Sequence, residues 1–97
     1  IQLSCGESEV FIPNSFTPNN DGENDILFVR GNQIKEVYFI VYNRWGEKVF
    51  ETNNPKNGWD GIYKGIISEP GVFAYYARII CLNNDELIKQ GNVTLLR

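Results

Sequence analysis

The residues of this chain best equipped for chemistry begin with an oxygen-rich run, FTPNNDGENDILF, from Phe16 to Phe28. Asn19, Asp21, Glu23 and Asp25 alternate there, so their oxygens could aim at one point, with backbone carbonyls completing the six to eight ligands that calcium takes. The spacing is not that of an EF-hand. With Gly22 at the sixth position, Thr17 falls at the first and Phe28 at the twelfth, where a bidentate acid belongs. The other reading is an Asx-turn cluster, in which Asn19, Asp21, Asn24 and Asp25 bond to their own backbone while Phe16 and Phe28 anchor the two ends. The turn is the expectation and a calcium ion the alternative; the residues imply no other cofactor.

Catalysis has little to build on. The chain holds no histidine, so the commonest general base is absent and neither cysteine has an imidazole to activate it. No pair of carboxylates is singled out by its surroundings, and the expectation is a protein that is not an enzyme. Cys5 and Cys81 lie far apart and match no CxxC spacing. They read either as a disulfide joining the first strand to a late one, which would place the protein outside the cytoplasm, or as two buried thiols. Arg44 beside Trp45 suggests a cation stacked on an indole. An aromatic platform for sugars, drawn from Tyr42, Trp45, Trp59 and Tyr63, is a second use for the same side chains.

Net charge is −3, with lysines and arginines scattered, so nothing would neutralise a row of phosphates and nucleic acid is not an expected partner. No apolar run approaches the roughly 20 residues that cross a bilayer as a helix. A chain of 97 residues suffices for one modest core, and residues 1–97 read as a single domain. It opens on Ile1 with no methionine and no signal-peptide layout, which reads as a piece of a longer or processed protein.

The elements that must hold these residues read as β-strands. Short apolar and β-branched runs are divided by Gly, Asn, Asp and Pro, with no sustained period of 3.6. Strands are expected at Ile1–Cys5, Val10–Ile12, Ile26–Val29, Glu36–Tyr42, Lys48–Thr52, Val72–Leu82 and Leu87–Leu96. Val37, Phe39 and Val41 share one face and Tyr38, Ile40 and Tyr42 the other, so that strand belongs inside a sheet. Phe73, Tyr75, Ala77, Ile79 and Cys81 face the core, with Arg78 on a wetter side. Asn43, Arg44, Trp45 and Gly46 read as a hairpin turn, and Gly58, Trp59, Asp60 and Gly61 as a tight corner whose indole caps the core. Asn83 to Asp85 and Glu69 to Gly71 read as further turns. The fold expected is all-β, an antiparallel two-sheet β-sandwich of about seven strands.

Taken together and in order, FTPNNDGENDILF, VYNRWGEKVFET, GWDG, EPGVFAYYARI and GNVTLLR resemble the gliding-motility-associated C-terminal domain, the type B sorting domain of the type IX secretion system of the Bacteroidota. The resemblance runs from about Phe11 to Arg97. It departs slightly at Asn20, where glycine is frequent and where asparagine also tolerates a left-handed backbone, and at Leu95–Leu96 in the tail. It implies an immunoglobulin-like sandwich that ends a large secreted or surface protein and serves as an address. The partners it implies are outer-membrane components of the secretion machinery and a covalently linked N-terminal passenger. The location it implies is the cell surface or medium, reached through the periplasm. The surface expected to be read is the last strand, Gly91, Asn92, Val93, Thr94, Leu95, Leu96 and Arg97, as an edge open to strand addition. The alternative is that Val93 and Leu95 only fill the core. A separate alternative for the whole chain is an immunoglobulin-like adhesion or carbohydrate-binding module.

Overall fold

The computed structural model describes residues 10–18, 25–31, 34–82 and 84–96. These form β1 (Val10–Phe11), β2 (Ser15–Phe16), β3 (Arg30–Gly31), β4 (Ile34–Tyr42), β5 (Lys48–Thr52), β6 (Ile62–Tyr63), β7 (Ile66–Ile67), β8 (Gly71–Cys81) and β9 (Glu86–Leu95). There is no helix among the described residues. The expected strand Ile1–Cys5 lies outside them.

β4 and β8 are long because β-branched and aromatic residues crowd both, and β9, which has no aromatic residue and carries Lys89, Gln90, Gly91 and Asn92 in its middle, is extended by pairing with β8 along its length. With β2 and β5 they make a five-stranded sheet in the order β2-β9-β8-β4-β5. All its pairings are antiparallel except β2 with β9, where Ser15 lies beside Thr94 and Phe16 beside Leu95 in parallel. The expected antiparallel pairing holds for β4, β5, β8 and β9, and the one parallel pair lies at the edge of the sheet. Strands joined by a hairpin must run opposite ways, but β2 reaches β9 from far along the chain and is under no such constraint.

One face of this sheet carries Val37, Phe39 and Val41 from β4, Phe73, Ala77, Ile79 and Cys81 from β8, and Val93 and Leu95 from β9, all buried. Phe16 of β2 and Val49 of β5 belong to the same core cluster from within the sheet, and Val10, Ile12, Leu27, Val29 and Trp59 join it from the opposite side. That side consists of the ribbons β1-β3 and β6-β7 and of the bridge between Leu27 and Trp59. The protein is therefore an all-β sandwich with one broad sheet and one layer of short pieces. Ile26–Val29 is not a strand: Leu27 exchanges both backbone hydrogen bonds with Trp59, at 2.9 and 2.8 Å, and pairing stops there.

Trp59 is 1 % exposed, with Phe16 and Phe73 at ring distances of 5.6 and 5.0 Å. Its Nε1 donates to the Ile62 carbonyl at 3.0 Å, so the polar edge of a buried indole is satisfied. Asp60 accepts the Ile62 N–H at 3.0 Å, and Gly61 takes a φ of +84°, which turns the chain sharply after the tryptophan.

Candidate functional site

The turn between β4 and β5 is bonded more heavily than a hairpin needs. Asn43 N donates to the Glu47 carbonyl at 2.9 Å, Gly46 N donates to the Asn43 carbonyl at 3.0 Å, and Gly46 has a φ of +80°. The Asn43 side-chain oxygen accepts the N–H groups of both Trp45 and Glu47, at 3.0 and 2.9 Å. Its amide donates to one Glu47 carboxylate oxygen at 3.0 Å, while the other accepts the Tyr63 hydroxyl at 3.2 Å. The turn is thus tied to itself and to β6. Asparagine is suited to this place because its side chain can imitate a backbone turn.

On this rigid turn Trp45 is 78 % exposed, with the Arg44 guanidinium 5.3 Å from its ring centre. Beside it opens a cavity of about 560 Å³ walled by Arg44, Trp45, Tyr63, Glu69, Pro70 and Val72, among others. A second, of about 460 Å³, shares Arg44 and Val72 with the first and is also walled by Tyr42, Ala74 and Asn92. Of the four aromatic residues considered for a platform, Trp45 and Tyr63 share the first cavity and Tyr42 lines the second. Trp59 is withdrawn into the core.

Sequence reasoning missed Val72 as part of this surface, and of the β6-β7 ribbon it named only Tyr63. Ile62, Ile66 and Ile67 are exposed there, and Ile66 sits opposite Tyr63 on the ribbon. The available signal was the dipeptide Lys64-Gly65, both with positive φ, between two short apolar pairs.

The tail divides by face. Val93 and Leu95 are fully buried, whereas Asn92 and Leu96 are exposed and Gly91 and Thr94 half-buried. Nor is its end a bare edge: Thr94 N donates to the Asn14 carbonyl and Leu96 N to the Phe16 carbonyl, both at 2.9 Å. The expectation of an edge open to strand addition is corrected for these positions, because β2 already occupies it. Arg97 lies outside the described residues.

Of the calcium candidates, Asn19, Asp21 and Glu23 lie outside the described residues, and Asp25 is half-buried. No group of three or more acidic, cysteine or histidine side chains placed to hold a metal occurs among the described residues. Cys81 is fully buried and disulfide-bonded; Cys5 lies outside the described residues. Away from the cavities, Glu51 accepts hydrogen bonds from Lys48 Nζ at 2.8 Å and from the Tyr38 hydroxyl. The Lys48 bond, and after it the Tyr38 bond, hold the Glu51 carboxyl below its ordinary range. No helix among the described residues is long and apolar enough to cross a membrane.

None of the curated proteins searched matches the chain. A family model does, the CHU_C type IX secretion signal domain, over residues 10–95. That span runs from β1 to the end of β9 and takes in both the Arg44–Trp45 turn and the buried part of the tail. The family is not known as enzymatic, and a signal domain of this kind implies contact with the secretion machinery and export to the cell surface or medium. With a β-sandwich matched from its first described strand to its last, the chain belongs to the family of type IX secretion signal domains.

Proposed function

We propose that this domain directs a passenger, joined to its N-terminal side, across the outer membrane after general secretory export has delivered both to the periplasm. The observation that carries the reading is the family match over residues 10–95, from the first described strand to the last. Outer-membrane components of the secretion machinery are the partners, and the work is recognition rather than catalysis. Within the tail Gly91–Arg97, the exposed Asn92 and Leu96 are the residues available to a partner, and Val93 and Leu95 act by keeping the strand folded.

The test is export of a fluorescent reporter placed behind a signal peptide and ahead of this chain. The hosts are a bacterium with the type IX system and its matched secretion mutant. Reporter outside the first and periplasmic in the second is the expected result; periplasmic retention in both overturns the reading. Calcium at Asn19, Asp21, Glu23 and Asp25 is a separate proposal, supported by the alternation of oxygen-bearing side chains. Calorimetric titration decides it: absence of both heat and a rise in Tm at millimolar calcium would remove it.

A further inference from the structure

The Trp45 indole is the largest apolar side chain the molecule leaves in water, and the Asn43–Glu47–Tyr63 bonds hold its turn in that position. Around it stand Val72, 56 % exposed on the cavity wall, and Ile66, 70 % exposed beside Tyr63. Arg44 makes no ion pair among the described residues and lies against the Trp45 ring. Large exposed apolar patches on soluble domains mark contact sites, and Trp, Arg and Tyr dominate binding energy where proteins meet.

We propose that the Arg44–Trp45 turn, with Tyr63, Ile66 and Val72, is the surface by which a protein of the secretion machinery docks. This rests on the export reading. The occupant is a protein rather than a small ligand because the apolar surface continues past the cavity onto Ile66, which is exposed opposite Tyr63 on the same face of the ribbon. A molecule confined to about 560 Å³ would leave that ribbon wet, whereas a standard protein interface spans about 800 Å² on each partner and covers both. The partner presents an apolar side chain to the cavity against Trp45 and a carboxylate to Arg44. Glu69 lines the same cavity, so the carboxylate belongs on the Arg44 side.

The experiment is the same export assay with Trp45→Asp, Arg44→Glu and Val72→Asp, each checked by circular dichroism and thermal melting. Ile88→Asp, exposed on β9 away from this surface, is the control. Wild type and Ile88→Asp are expected outside the cell, with export of the three surface variants reduced at least tenfold and their folds intact. Should Trp45→Asp fail to fold, Arg44→Glu decides, since it alters an exposed side chain whose cation–ring contact with Trp45 is itself exposed. Wild-type export with undiminished export of the folded surface variants overturns the docking surface and leaves the export reading standing. Periplasmic wild type overturns the export reading itself. Quenching of Trp45 fluorescence by a neutral oligosaccharide such as cellohexaose, with surface variants exported normally, would overturn the proposal in favour of a sugar platform.

Discussion

Two tryptophans of one chain show how far context decides what a residue does. Trp59 fills the layer opposite the broad sheet, between Phe16 and Phe73, while Trp45 stands in water on a bonded turn. Trp59→Ala is expected to cost about 3–5 kcal/mol through the cavity it leaves. Trp45→Ala should change stability by no more than about 0.5 kcal/mol, as exposed positions do. Urea unfolding of both variants measures the contrast, and equal losses would contradict the assignment. Gly58 marks the same layer from the backbone side. A Cβ there would meet Ile26 Cγ2 at 2.3 Å, the Leu27 carbonyl oxygen at 2.7 Å and Phe28 Cβ at 2.9 Å. The Leu27 carbonyl is held by Trp59 N and cannot give way cheaply. Gly58→Ala is therefore expected to destabilise by about 1–3 kcal/mol, as overpacking does, by the same measurement.

At the scale of the strand, β9 and β5 show alternation put to different ends. Leu95 is fully buried and Leu96 exposed, although the two are adjacent and chemically identical. Leu95→Ala should cost about 2–5 kcal/mol, and Leu96→Ala less than about 0.5 kcal/mol. If export falls with Leu96→Asp while melting does not, the exposed side of the tail takes part in recognition. On β5, Glu51 is solvated, and its hydrogen bonds to Lys48 and then Tyr38 lower its folded-state pKa. A carboxylate lowered in this way adds stability above its unfolded value, and that stability is lost as pH falls through the folded value. Carbon-13 titration of the Glu51 carboxyl should give a midpoint below the ordinary glutamate value, moving upward in Lys48→Ala. An ordinary midpoint would show that the bonds do not persist in solution.

Across the whole molecule, residues distant in sequence are brought together twice. β2 lies beside the end of β9, closing the sheet with segments from opposite ends of the described chain. Cys81 is disulfide-bonded within the core, and Cys5 is the only other cysteine in the sequence. We propose that they pair, closing a loop over most of the chain and stabilising the fold by about 4–5 kcal/mol on the chain-entropy account. Thermal melting with and without reductant tests this. The expected result is a clear fall in Tm on reduction that the double variant Cys5→Ala, Cys81→Ala does not show, and an unchanged wild-type Tm would contradict it.

What the sequence by itself determined is what local pattern controls. The alternation in EVYFIVYN and GVFAYYARIIC dictated which side chains of β4 and β8 turn inward, and Asn43 with Gly46 dictated the hairpin between β4 and β5. Aromatic bulk flanked by glycines pointed to a buried Trp59. The tertiary structure alone decided the rest, because nothing local specifies it. The parallel clasp of β2 on β9, the single bridge at Leu27 and the ribbon β6-β7 depend on partners far along the chain or on space left around the indole. The candidate docking surface is of this second kind. Arg44 and Trp45 were legible as a pair and Tyr63 as a candidate companion, but Val72 and Ile66 join them only when the sandwich closes, since packing brings together faces that no sequence spacing relates.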